Sequence, residues 1–482
     1  MQVHIPVAFA STSGVRNSLV PQAVIDAVDR NFDQDVRDIC NFFCQPSVSA
    51  TGEGMVEAAD GLLSYFKQLG FAAQLIGGEL GGYPSIYAEI SGERPETLLI
   101  YGHYDVQPPD PLEEWEYPPF SATIVGNRIY ARGSVDDKGN FLCALKAVEA
   151  YLKAGVPLPL NIKFLLEGEE EIGSPHFKEI AENYRTLLTA DALLAYDGNI
   201  PKEGRSELVL GTKGMLFVEL ISRGAPKDLH SAKATIVENP AWQLIQALAL
   251  IKEKDGHVNI PHFYDGVKKP ESADLEIIYE IDLTDDDIRK EIGVEKFKNG
   301  LSGKQLKKAL YFEPTCNISG LTSGYQGKGN KTVLPSEARA KIDIRLVPGQ
   351  DPESILNNLR SYLKSTGFED IEVLSGEGMA SGKTSTDSLI AQCAYLTLHE
   401  IYGQPPVVKP LMEASGPGYV FSDVLQLPWA WVRLGPPENR MHAPNEYTTL
   451  KALRMGIEAV IAMLNNYASM SAKEAFKERI YC

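Results

Sequence analysis

The stretch Asn161-Ile162-Lys163-Phe164-Leu165-Leu166-Glu167-Gly168-Glu169-Glu170-Glu171-Ile172-Gly173-Ser174 decides how the chain is read. Its opening residues have the apolar character of a strand entering a core. Four glutamates then follow within five positions, 167 to 171. Like charges at that density must be solvated, protonated or compensated by a cation. An exposed acidic loop meets the first condition. A bound metal meets the third, provided other segments supply ligands.

Working outward, Thr97-Leu98-Leu99-Ile100-Tyr101 is continuously apolar, as a strand buried on both faces would be. Ser85–Ile90 alternates like a strand, and Ala192–Tyr196 is a further short strand. Between them the spacing predicts helices from Pro21 (Val24, Val28, Phe32, Val36), over Met55–Leu69, over Asn140–Lys153 and near Phe177–Leu188. Strands alternating with helices imply an α/β fold, a catalytic mixed-sheet domain with helices on both faces. The rhythm changes after about residue 206. Leu208–Ser222 reads as strands around a Gly-Thr-Lys-Gly turn, Pro240–Lys254 and Pro352–Ser365 as helices, and Ala338–Val347 alternates. This suits an α+β insertion in which the charged segment 265–310 reads as decoration. From Ser385 the first pattern returns, with a helix over Leu389–Tyr402, a buried strand over Trp429–Leu434 and a last helix over Thr448–Tyr467. The expected domains are 1–208 and 384–482 for the catalytic part and 209–383 for the insertion.

At 482 residues two or three domains are expected, and a net charge of −18 argues against a nucleic-acid or anionic-membrane partner. The six cysteines form no Cys-x-x-Cys pair, so a reducing cytoplasm is the expected location. No apolar run approaches a membrane span. No Lys or Arg precedes the weakly apolar Ile5–Ala10, so a cleaved signal is not expected. Residues 1 to about 20 read as a loose arm.

Five segments place His, Asp or Glu after an apolar strand or in a glycine-bounded turn: His103 and Asp105, Asp136, Glu170 and Glu171, Asp197, and His442. Singly, each has an ordinary explanation. His103 could be a core histidine fixed by Asp105, Asp136 a helix N-cap and Asp197 a turn residue. Jointly they are what a ligand site at the carboxyl ends of strands requires. Two imidazoles with several carboxylates and no thiolate suit zinc, manganese or cobalt. The count exceeds what one catalytic zinc takes and suits two metals sharing a bridging carboxylate.

The motifs Gly-His-Tyr-Asp-Val-Gln-Pro (102–108), Gly-Ser-Val-Asp-Asp-Lys-Gly (133–139), Glu-Gly-Glu-Glu-Glu-Ile-Gly-Ser (167–174), Asp197 and Met-His-Ala-Pro-Asn-Glu (441–446) resemble the M20 family of dinuclear metallopeptidases, in its carnosinase-like cytosolic dipeptidase branch. The resemblance implies that His103, Asp136 and Asp197 hold one metal and Asp136, Glu171 and His442 the other, with Asp136 as the bridge. Asp105 would orient His103, and Glu170 would be the general base. The insertion would be a lid and dimerisation domain. Its His230, in Lys-Asp-Leu-His-Ser (227–231), would act in the partner subunit's site of a homodimer, while Thr332 and Arg345 would meet the substrate carboxylate. Where the family has a Gly-Gly-Ser or Gly-Gly-Thr turn, this chain has Met412-Glu413-Ala414-Ser415-Gly416, with the hydroxyl shifted by one position. Ser415 and Gly416 are the matching candidates there.

The implied reaction is hydrolysis of a dipeptide or short peptide bearing a free C-terminal carboxylate, with two divalent ions per chain. Removal of an N-acyl group from an amino acid would use the same residues. A non-catalytic metal-binding protein and a two-metal phosphoesterase are the rivals from other classes.

Overall fold

The computed structural model describes residues 19–200, 205–376 and 378–481. The Ile5–Ala10 stretch and nearly all of the expected N-terminal arm lie outside the described residues. The chain divides into two compact units. The first comprises residues up to Leu210, Thr384–Pro410 and residues from Val420 onward; the second comprises Gly211–Lys383 and Leu411–Tyr419.

The first unit is built on an eight-stranded mixed sheet in the order Ala72–Ile76, Ser85–Ile90, Asn161–Glu167, Thr97–His103, Ala192–Tyr196, Trp429–Val432, Glu207–Val209, Val407–Lys409. Thr97–His103 runs parallel to both Asn161–Glu167 and Ala192–Tyr196, and Trp429–Val432 runs parallel to the latter. Leu98, Leu99, Ile100 and Tyr101 are fully buried, so both faces of the central strand are covered. Two aromatic clusters show the covering. Phe164 packs with Phe66 of helix Met55–Gln68 and with Phe71. Tyr101, whose register partner Leu165 points the opposite way from Phe164, packs with Phe177 of helix Phe177–Asn183 and with Phe421.

Helix Lys138–Ala154 is buried along most of its length, because it packs on Thr97–His103 and against helices Gln22–Cys44 and Leu450–Tyr481. It is tied to Gln22–Cys44 by charge. Lys146 Nζ lies 2.6 Å from Asp38 and 2.7 Å from Glu149, and Lys153 Nζ lies 3.0 Å from Asp35.

The second unit carries an antiparallel sheet in the order Asn317–Ser323, Glu337–Leu346, Gly211–Arg223, Glu372–Ser375, with Gly382–Lys383 and Met412–Ser415 pairing further along Gly211–Arg223. Helices Pro240–Ile251 and Pro352–Ser365 supply Leu244, Ala247, Ile355 and Leu359 to a core with Leu216, Leu220, Ala340 and Ile344.

Two sequence expectations are corrected here. Gly211-Thr212-Lys213-Gly214 is no turn but the start of one 13-residue strand. A Cβ on Gly214 would sit 2.4 Å from the Met379 carbonyl, so the glycine serves close backbone approach within the sheet. The segment 265–310 is more than decoration. It holds helices Ser272–Glu280 and Asp285–Ile292 and the start of Gly303–Phe312, the first two opened by capping boxes. Ile278, Tyr311 and Phe312 form a core cluster with Val347 and Leu411.

Among the described residues, no helix is long and apolar enough to cross a membrane.

Candidate metal centre

Parallel strands bring the first ligand candidates together. His103 ends its strand in register with Glu167, which ends the neighbouring one, and Asp197 directly follows Ala192–Tyr196 on the other side. Asp136 enters from the turn before helix Lys138–Ala154. His442 enters from a loop in which Glu438, Arg440, His442 and Asn445 all take left-handed backbone conformations, His442 at φ 60°. Such conformations in non-glycine residues persist only where the surroundings hold them.

The Asp136 carboxylate lies between the two imidazoles, one oxygen to each. His103 Nε2 is 3.0 Å from Oδ1, and His442 Nε2 is 2.8 Å from Oδ2. Asp197 lies 3.9 Å from His103 Nε2, and Glu171 lies 3.5 Å from His442 Nε2. His103, Asp136 and Asp197 form one group whose ligand atoms could hold an ion; Asp136, Glu171 and His442 form another. His103 is fully buried, whereas the His442 side chain is 49% exposed, so the site opens on the His442 side.

Backbone N–H groups and buried carboxylates hold this arrangement. Asp105 lies 3.3 Å from His103 Nδ1, and its two oxygens accept the N–H groups of Glu170 (3.2 Å) and Glu171 (3.0 Å). It thus aims the imidazole and the acidic turn together. Asp137 accepts the His103 N–H at 3.1 Å. A Cβ on Gly102 would meet that carboxylate at 2.7 Å, which explains the glycine before His103. Glu446, fully buried, accepts the N–H groups of Gly133 (3.1 Å), Val135 (2.9 Å) and Asp136 (3.3 Å) and pairs with Arg132 at 2.7 Å. It locks the turn bearing Asp136 to the loop bearing His442. Gln107 donates to both oxygens of Glu171.

The charge balance is that of a cation site. Burial, then Asp136, pushes the Glu171 carboxyl up to about 8. Burial, with Asp197, Glu171 and Asp136 adding to it, raises Glu170 well above the carboxylate range despite the pull of His103. Asp197 is raised by burial and Asp136. The hydrogen bond to Asp136 lifts the His442 imidazole to about 9, and around His103 the three aspartates overcome a burial effect that works the other way. A divalent ion at either ligand group would offset this crowding of buried carboxylates. A third acidic group, Asp35, Asp38 and Glu149, already has Lys146 and Lys153 as compensation. Among the described residues, no hydrogen bond reaches the Glu170 carboxylate, while its backbone is fixed by Asp105.

The second unit gathers the other candidates in two groups. His230 and Thr332 are brought side by side, because Leu229–His230 pairs with Val333–Leu334 and Ser231 N–H donates to the Thr332 carbonyl. His230 Nδ1 accepts the Ala232 N–H at 3.1 Å, which leaves Nε2 as the protonated nitrogen of the neutral ring. Arg345 Nη1 donates to Ser415 Oγ at 2.8 Å, Ser415 donates on to the Gly214 carbonyl, and the Gly416 carbonyl accepts from Thr212. The shifted hydroxyl of Ser415 thus meets Arg345. Among the described residues, no carboxylate pairs with Arg345.

Sequence reasoning gave no role to Gln107, Arg132 or Glu446. The only available signal was that Gln107 and Glu446 stand within the motifs carrying His103 and His442.

A model of Peptidase family M20/M25/M40 matches residues 99–466. The chain is 25% identical to the Cys-Gly metallodipeptidase dug1 of Schizosaccharomyces pombe, over 92% of this chain and 98% of the relative. It is 26% identical to the Beta-Ala-His dipeptidase of Rattus norvegicus, over 75% of each. Among solved structures, an M20 family metallo-carboxypeptidase from Sulfolobus solfataricus superposes with a TM-score of 0.83 at 36% identity, covering 90% of this chain and 99% of that one.

Proposed function

The chain belongs to peptidase family M20/M25/M40 and is a metallopeptidase, and on that premise we propose that it hydrolyses the amide bond of dipeptides or short peptides with a free C-terminal carboxylate. The observation that carries this reading is the Asp136 carboxylate set between His103 and His442, one oxygen to each. His103, Asp136 and Asp197 would hold one divalent ion, and Asp136, Glu171 and His442 a second, with Asp136 bridging. Zinc is the favoured metal, and manganese and cobalt suit the same donors. Two such ions would polarise the scissile carbonyl and acidify the attacking water.

Glu170 would be the base that takes a proton from the attacking water and returns it to the leaving amine. Among the described residues no competing hydrogen bond ties up its oxygens, while Asp105 fixes its backbone, which suits a base. Asp105 keeps Nδ1 of His103 engaged, which leaves Nε2 as the nitrogen that would ligate an ion. Arg345 offers a guanidinium fork that no carboxylate among the described residues pairs with, and Ser415 Oγ accepts from it, which suits capture of a chain end. Thr332 and Gly416 would complete that contact. His230 presents Nε2–H as a donor to the substrate.

The working unit would be a homodimer in which His230 serves the partner subunit's site. The exposed apolar side chains Ile236, Trp242 and Ile245 in and before helix Pro240–Ile251 support a second copy packing there. A reducing cytoplasm would suit its free cysteines.

Both dipeptidase and carboxypeptidase names occur among the relatives, and both reactions release an amino acid with a free carboxylate. The 36% identity to a metallo-carboxypeptidase favours longer peptides as a second reading. The test is a substrate screen of the zinc- or manganese-loaded chain, with Glu170→Gln as the blank. It should include dipeptides, longer peptides, N-acyl amino acids and the C-terminal amide of each peptide. Hydrolysis of the free acids and not of the amides is expected. Equal turnover of the amides would overturn carboxylate recognition, cleavage confined to N-acyl amino acids would reassign the chain as a deacylase, and activity on phosphate esters alone would overturn the reading.

A further inference from the structure

We propose that Gln107 is a positioning residue that sets the Glu171 carboxylate for one of the two ligand groups and leaves the other untouched, an inference that rests on the two-metal reading above. Beyond His103 the chain stays extended and pinned. Tyr104 N–H donates to the Glu167 carbonyl at 2.8 Å, and Val106 N–H donates to the Ser47 carbonyl at 2.9 Å. Pro108 follows Gln107 and restricts it to extended backbone, so its N–H and side chain start from a fixed direction.

From there the Gln107 N–H donates to Glu171 Oε1 at 3.2 Å, and Nε2 donates to Oε2 at 2.8 Å and to the Glu171 carbonyl at 3.3 Å. One residue therefore grips both oxygens and the backbone of the same ligand. Two residues earlier, Asp105 accepts the Glu170 and Glu171 N–H groups, so the two segments are cross-tied by donors running both ways. The grip matters because the terminal torsion of a glutamate is broad and sets no carboxylate plane by itself. No hydrogen bond runs from Gln107 to His103, Asp136 or Asp197 among the described residues. Its influence is thus confined to Asp136, Glu171 and His442, the more exposed of the two groups.

The experiment titrates the metal-free full chain with Co2+ alone by calorimetry, in the wild type, Gln107→Met and Gln107→Ala. Methionine has the length of glutamine and fills its space without donating, so it carries the test if the alanine variant changes the far-UV circular dichroism. Two ions per wild-type chain are expected. In Gln107→Met one should bind with unchanged affinity and the other about 10–100-fold more weakly, the usual cost of removing a partner of a metal ligand. Two unchanged affinities, or two affinities falling together, overturn the assignment to Gln107. A wild-type chain taking up fewer than two ions overturns the two-metal reading itself, and the assignment with it.

Discussion

The two units carry opposite surpluses. In the first, His103, Asp136, Glu171, Asp197 and His442 converge with more acceptors than donors, and burial raises the Glu171 carboxyl. In the second, Arg345 and His230 offer donors that no carboxylate of the described residues answers. The first holds candidate cation ligands; the second holds donors that the proposed function assigns to a substrate carboxylate. They also differ in how they are held. The first is locked by buried groups such as Asp105 and Glu446 that accept backbone N–H groups, whereas His230, on a two-residue ladder, and Thr332, just before it, lie exposed.

The sharpest way to break this comparison is Asp136→Ala. Removal of the shared carboxylate should abolish uptake of both ions and all hydrolysis, measured by metal analysis after dialysis; retention of one ion would show that Asp136 is no bridge. Next in size, Glu170→Gln should lower kcat about 10²–10⁴-fold while two ions stay bound. An active variant would dismiss Glu170 as the base.

Arg345→Ala tests the anion side. It should lower kcat/KM about 10–100-fold for a free-acid peptide, the scale of a lost charge-assisted hydrogen bond, and so narrow the preference for the free acid over the corresponding amide. The smallest effect concerns pH. His442, held at about 9, and Glu171, at about 8, bear protons below those values and must lose them to bind an ion. Metal uptake should therefore release protons, and Co2+ affinity should fall as pH drops from 9 toward 6, by up to about tenfold per unit for each proton displaced. Calorimetry in buffers of different ionisation heat checks this, and a pH-independent affinity would contradict it.

The sequence made the strands of the first unit readable because Leu98–Tyr101 is a continuous apolar run and Ile162–Leu166 is broken only by Lys163, as strands of a covered sheet would be. It made the ligand candidates readable because His103, Glu171 and Asp197 stand at or just past the ends of strands, while Asp136 and His442 stand in a glycine-bounded turn and a proline-containing loop. What was hidden depended on partners far along the chain. Gln107 meets Glu171 64 residues away, and Glu446 meets Asp136 310 residues away, so neither pairing leaves a local pattern. Gly211–Gly214 looked like a turn because glycine serves turns and close backbone approach alike, and only the position of Met379 shows which applies. In 265–310 the density of charge masked the few apolar positions, such as Ile278, that anchor its helices.

The most direct test of the central claim is to add Zn2+ or Mn2+ stepwise to the metal-free chain while following hydrolysis of a dipeptide. Activity that climbs to a plateau at two ions per chain is the predicted result. A plateau at one ion, or full activity with none, would contradict the account.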